Sequence, residues 1–300
     1  MVFFPAFALH PASWDTRINY VEEMIALEKR VRSPIVDGLF YPEDTTSVLA
    51  YMQSIGLKRG KGGLARAIIA PHGAWDISGS LAGAAFAAAG GRTGGKSPSR
   101  VVLLGPIHDK REEGIFLTNS HSFQTPLGDI PVDEEASGWL ESYSPLFQVD
   151  DIPHLHEHSI EVLLPFVKYY FPRASIVPIL MGRTDAQYTS VLANALRAVF
   201  EPLMEDTLLV ISLNLTSHAS EAAALNMADE FVRLFREGKH SELCTALQNG
   251  SIANCGGALV AALLQSGLMD TARPRVASDS LLSARTEQNK TVYYGAFSFD

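Results

Sequence analysis

The feature that most constrains this chain is a set of short apolar runs, each separated from the next by a longer stretch of helical spacing. Residues 65–70 (ARAIIA), 100–104 (RVVLL), 174–181 (ASIVPILM) and 207–213 (TLLVISL) show no alternation of polar and apolar side chains. A strand that is apolar on both faces must be covered on both faces, the condition met by a parallel sheet between helices. Residues 80–89, 187–200, 221–236, 241–248 and 256–265 carry helical spacing, and 291–299 (TVYYGAFSF) reads as a closing strand. The predicted fold is α/β, a mainly parallel central sheet with helices on both faces. One shared core accommodates residues 31–300 as a single domain. Residues 1–30, a proline-containing loop followed by a helix over 20–30, read as an N-terminal extension, and 90–99 (GGRTGGKSPS) as a loop.

Charge and cysteine content narrow the function. A formal net charge of −9 gives no footprint for nucleic acid, and the lysines and arginines form no run suited to an anionic membrane. The apolar start at 1–9 (MVFFPAFAL) is too short to span a bilayer, and no later segment reaches the required length. With only Cys244 and Cys255 there is no disulfide framework, so both thiols read as reduced and the protein as cytoplasmic.

Ligands of open α/β sheets bind beyond the carboxyl ends of the strands. Three of those ends deliver a histidine. The first run is followed by Pro71-His72-Gly73, the second by Gly105-Pro106-Ile107-His108, and the fourth by Asn214 and then His218. A single histidine after a strand is usually a loop hydrogen-bonder, but several on one rim can converge on a metal ion. Asn254-Cys255-Gly256-Gly257 leads into the apolar helix ALVAALL. A cysteine at a helix start sits in a positive dipole field that favours thiolate, the form that ligates metal. His72, His108 and Cys255 are therefore the candidate metal ligands, whereas Cys244, between Leu243 and Leu247, reads as a small core residue.

The densest polar cluster is 154–161 (HLHEHSIE). A helix beginning here would place Glu157, His158 and Glu161 on one face. They would then either orient a substrate or ligand, or simply form a polar helix start. His154 and His156 read as surface-loop residues.

Seven segments, RSPIVDGLFYP (32–42), ARAIIAPHGAWDISGSLAGAAF (65–86), VVLLGPIHD (101–109), TPLGDIPVDEE (125–135), EHSIEVLLPFV (157–167), NCGG (254–257) and VYYGAF (292–297), together resemble one family. It is the Memo-like proteins, the B component of the AmmeMemoRadiSam system, related in fold to class III extradiol dioxygenases. The resemblance spans about residues 31–300. It implies a dioxygenase-like single domain in which His72 and His108 bind metal. Cys255 stands where the ring-cleaving relatives have a carboxylate, and Glu157 and His158 lie beside the pocket. His218 matches, less securely, the acid/base histidine of a serine-serine-aspartate-x-x-histidine motif. Here the chain departs from the family: 212–218 reads SLNLTSH, with Asn214 in place of the aspartate and one extra residue before the histidine. An asparagine side chain is not a general base.

What the resemblance implies is one divalent transition metal, Fe(II) favoured, although two imidazoles and a thiolate also suit Cu or Zn. Three protein ligands leave positions for O₂ or a substrate oxygen, consistent with oxidative chemistry in which His218 would move protons. The alternative is a non-catalytic module that recognises a small molecule, peptide or protein on the same scaffold, in association with radical-SAM and AMMECR-type proteins. A zinc hydrolase is a third reading, and it lacks a clear general base.

Overall fold

The computed structural model describes residues 30–56, 65–90, 97–109, 111–182, 185–278 and 280–300. The predicted helix over 20–30, the rest of the extension and most of the loop at 90–99 lie outside them. In chain order the strands are β1 (Val31–Arg32), β2 (Ala67–Ala70), β3 (Arg100–Pro106), β4 (Ile115–Leu117), β5 (Ser122–Phe123), β6 (Ile130–Pro131) and β7 (Phe147–Val149). They continue with β8 (Ser175–Met181), β9 (Thr207–Ser212), β10 (Thr216–His218), β11 (Pro274–Val276), β12 (Leu282–Arg285), β13 (Thr291–Tyr294) and β14 (Phe297–Phe299). The main sheet has eight strands in the order β11-β14-β2-β9-β3-β8-β4-β7. Its centre, β2-β9-β3-β8, is parallel throughout, and these four strands are the four apolar runs of the sequence. Antiparallel pairs flank the centre on both sides, β14 on β2 and β4 on β8.

Successive side chains of a strand point to opposite faces, and both faces here are buried. Val101, Leu103, Leu208 and Val210 pack on one side with helices Ser80–Ala89 and Leu164–Tyr170. Val102, Leu104, Leu209 and Ile211 pack on the other with helices Ala186–Phe200, Glu221–Arg236 and Gly257–Gln265. Each such large side chain, fully buried, contributes roughly 1.5–3 kcal/mol, which explains why these strands carry no polar face. Among the described residues, no helix is long and apolar enough to cross a membrane.

Three expectations are corrected. The single closing strand over 291–299 is two strands. β13 belongs to a three-stranded sheet, β10-β13-β12, whereas β14 joins the main sheet, and the chain switches at Gly295. A Cβ there would stand 2.8 Å from Leu215 Cδ1 and 2.9 Å from the Phe297 ring, so the crossing admits only glycine without a shift. No helix starts at Glu157 either: helix Asp151–His156 ends just before it, and Glu157 is extended, at φ −106° and ψ 134°. Finally, His154 is not a surface-loop residue. It is 1% exposed on that helix, edge-on to Phe123, because the helix packs it inward; His156 stays exposed.

Candidate metal centre

The register of the parallel centre fixes the site. Ala70 on β2 pairs with Ser212 on β9, and Ile211 pairs with Leu104 on β3, so the three strands end side by side. His72 lies two residues past β2 and His108 two past β3, with β9 between them. Cys255 arrives from the opposite direction, just before helix Gly257–Gln265. The glycine after it is required by space: a Cβ on Gly256 would lie 2.6 Å from the Ser212 carbonyl oxygen. That contact brings the cysteine loop flush against the end of β9.

One ligand atom from each of His72, His108 and Cys255 lies within 4.8 Å of the others. Cys255 Sγ is 3.3 Å from His72 Nε2, and the two histidine rings meet edge to face with centroids 5.2 Å apart. Ligands of a shared transition metal sit about 2.0–2.3 Å from it, so donors this close fit one ion. The donor set, two imidazole nitrogens and a thiolate, suits Fe(II), Cu and Zn alike.

Burial works against ionisation of the Cys255 thiol. The charge of His72 and hydrogen bonds from His108 and His72 outweigh it and bring the pKa down to about 5. The two histidines beside it therefore favour the thiolate. Cys244, held only by burial, is pushed up to about 11 and sits in the core. For His108, burial lowers the pKa, but hydrogen bonds and charge from Cys255 and Glu157 push it up to about 10.

Glu157 is the organising carboxylate. Its Oε1 accepts the amides of His158 and Ser159, both at 2.8 Å, and Oε2 accepts the amide of His108 at 2.7 Å. The same carboxylate faces His108 Nδ1 at 3.0 Å, which turns Nε2 toward the cysteine. Burial would raise the Glu157 pKa; the His108 hydrogen bond and the charges of His108 and His158 lower it to about 2. His158 stacks on His108 with centroids 5.0 Å apart and packs against Phe40, and burial lowers its pKa to about 4. These two rings are nearly parallel, at 14°, and with Glu157 they bring a second set of ligand atoms within 4.8 Å of one another.

Behind this loop lies an ion pair that the sequence reading did not pick out. Arg32, 2% exposed, pairs with Glu161, which is fully buried. The guanidinium donates to the carbonyls of His154 and Glu157, while Glu161 Oε1 accepts from the amides of Ile35 and Val36 and from the Tyr41 hydroxyl. A buried arginine such as Arg32 is not distinguishable in sequence from a surface one. Ser212 is the second omission: its hydroxyl touches His72 Nδ1 at 2.6 Å. A serine closing an all-apolar strand, in TLLVIS, was the available signal.

Asn214 pins the backbone of the site rather than entering it, with Oδ1 accepting the His72 amide at 3.1 Å. Leu213 and Leu215, on either side of Asn214, are both fully buried. His218 then falls on β10, and its Nδ1 accepts the amide of Ser220, which caps helix Glu221–Arg236. Among the described residues it belongs neither to the His72, His108 and Cys255 group nor to the His108, Glu157 and His158 group of close ligand atoms. An open cleft of about 650 Å³ leads to His108, Glu157 and His158, walled by Ile107, Ile152 and Arg111.

Comparison with known proteins finds relatives over most of the chain. An Aeropyrum pernix MEMO1 family protein is 28% identical over 82% of this chain and 91% of its own length. A MEMO1 family protein of Thermotoga neapolitana is 30% identical over 79% of this chain and 88% of its own. The crystal structure of an uncharacterized Escherichia coli K12 protein covers 68% of this chain and 87% of its own at a TM-score of 0.43 and 13% identity, too distant to inform the site. The family described as Memo-like protein matches residues 32–294, and with the match extending over nearly the whole described core, this chain belongs to that family.

Proposed function

We propose that this chain is a metal protein that holds one divalent transition metal through His72 Nε2, His108 Nε2 and Cys255 Sγ in a dioxygenase-like pocket. The single observation that carries the reading is the convergence of these three donors within 4.8 Å at the ends of parallel strands. Fe(II) is the favoured ion through the family resemblance, and Cu or Zn would suit the same donors. When bound, the ion would supply Lewis-acid or redox chemistry to a ligand entering by the cleft. The residues of the chain would orient that ligand: Glu157 keeps His108 turned inward, and His158 lines the entrance.

A second reading has a specific observation behind it. Asn214 cannot act as a base, and His218 is tied to a helix start instead of joining the donors. This supports a non-catalytic module that binds a peptide, protein or small molecule within an AmmeMemoRadiSam-type system, with radical-SAM and AMMECR-type partners. Metal analysis of protein purified and reconstituted without oxygen tests the first reading; close to one Fe, Cu or Zn per chain is expected. Absence of all three after reconstitution would refute it. Ligand binding that survives chelation, unchanged in His218→Ala, would favour the module.

A further inference from the structure

We propose that Ser212 is the positioning residue that holds His72, so that the one segment 157–159 orients both candidate metal histidines. The inference rests on the metal reading for its purpose, but its geometry stands apart from it. Ser212 Oγ lies 2.6 Å from His72 Nδ1 and 2.6 Å from the carbonyl oxygen of Ser159. Both His72 and Ser212 are buried, so water does not complete either contact.

A hydroxyl has one proton, and a peptide carbonyl has none. If the Ser212 proton pointed at His72, two oxygen lone pairs would face each other at 2.6 Å with no proton between them. Both contacts are satisfied only when the order is Nδ1–H to Oγ–H to carbonyl oxygen. His72 then carries a proton on Nδ1, and Nε2, 3.3 Å from Cys255 Sγ, is the nitrogen left to face a metal. His108 carries a proton on Nδ1 by a different route. Its Nδ1 faces the Glu157 carboxylate, which can only accept.

Glu157 and Ser159 are two residues apart. Their segment is fixed against β3, where Ser159 Oγ donates to the Pro106 carbonyl at 2.8 Å. A Cβ on Gly105 would come within 2.5 Å of Ile160 and 2.6 Å of Ser159 Oγ, so nothing larger than glycine lets the segment lie this close. One rigid stretch thus sets two histidines, one through an anion and one through a neutral relay.

The test reads the protonation of His72 Nδ1 in the metal-free, ¹⁵N-labelled chain at about pH 8, from long-range imidazole correlations, with His72 assigned by loss of its signals in His72→Gln. The wild type is expected to show Nδ1–H. Ser212→Ala should lose that preference, and Ser212→Thr, which keeps the hydroxyl, should retain it. Zn²⁺ affinity should fall roughly 10–100-fold in Ser212→Ala and recover in Ser212→Thr. An Nδ1 without its proton in the wild type, or an unchanged Nδ1–H in Ser212→Ala, would overturn the assignment. Should Ser212→Ala fail to fold, the wild-type spectrum alone decides. A wild type that binds no Zn²⁺, Fe²⁺ or Cu²⁺ would defeat the metal reading and leave the Nδ1 result standing.

Discussion

Replacing Arg32 with methionine isolates the ion pair on which the site loop is built. The substitution keeps an unbranched chain of similar reach and removes the charge and all its donors. What is lost is the pair with Glu161, two hydrogen bonds to the His154 carbonyl at 3.0 and 2.8 Å, a longer one to the Glu157 carbonyl at 3.3 Å, and the cation over the Phe123 ring, 5.5 Å from its centroid. What remains is a carboxylate with no solvent exposure, held by two amides and the Tyr41 hydroxyl. Breaking a buried pair from one side leaves an uncompensated charge, and the expected loss is about 3–5 kcal/mol. Against a total stability of about 5–15 kcal/mol this is a large share, readily measured by equilibrium urea unfolding. Amide exchange should quicken first in 154–161, whose carbonyls lose their donors, before the central strands are affected. A loss below about 1 kcal/mol, the range of exposed ion pairs, would refute the reasoning.

Other outcomes follow from individual contacts. Cys255→Ser should abolish or strongly weaken metal binding while Cys244→Ser leaves it nearly unchanged; equal losses measured by titration would point to global destabilisation instead. Burial, with the Arg32 charge adding to it, lowers His154 to about 4, below the value near 6.5 of an exposed imidazole. The unfolded chain therefore binds more protons between those values, and stability present above pH 6.5 is lost as the pH falls toward 4. Relative to His154→Leu, the wild type should lose about 2 kcal/mol between pH 7 and pH 5, and a pH-independent difference in urea midpoints would contradict this. Gly256→Ala forces a Cβ to 2.6 Å from the Ser212 carbonyl. It should cost about 1–3 kcal/mol in thermal unfolding and weaken Zn²⁺ binding by displacing Cys255.

The four central strands and the longer helices between them were legible in the sequence because they rest on local physics. Runs such as 100–104 and 207–213 are apolar throughout, so no arrangement but a doubly covered strand buries them. The strand-end positions of His72 and His108, and Cys255 before its helix, followed from the same pattern. Local spacing misled at 154–161, since Glu157 has helical neighbours but its own carboxylate captures the amides of His158 and Ser159 and holds it extended. It misled again at Gly295, because alternation along a strand does not say which sheet receives it. Only the tertiary structure decided that Arg32 is buried against Glu161, that Ser212 reaches both His72 and Ser159, and that His218 serves a helix start rather than the donors. Each is a contact between side chains or backbone groups whose proximity depends on strand register and loop path, and composition along the chain encodes neither until the sheet has formed.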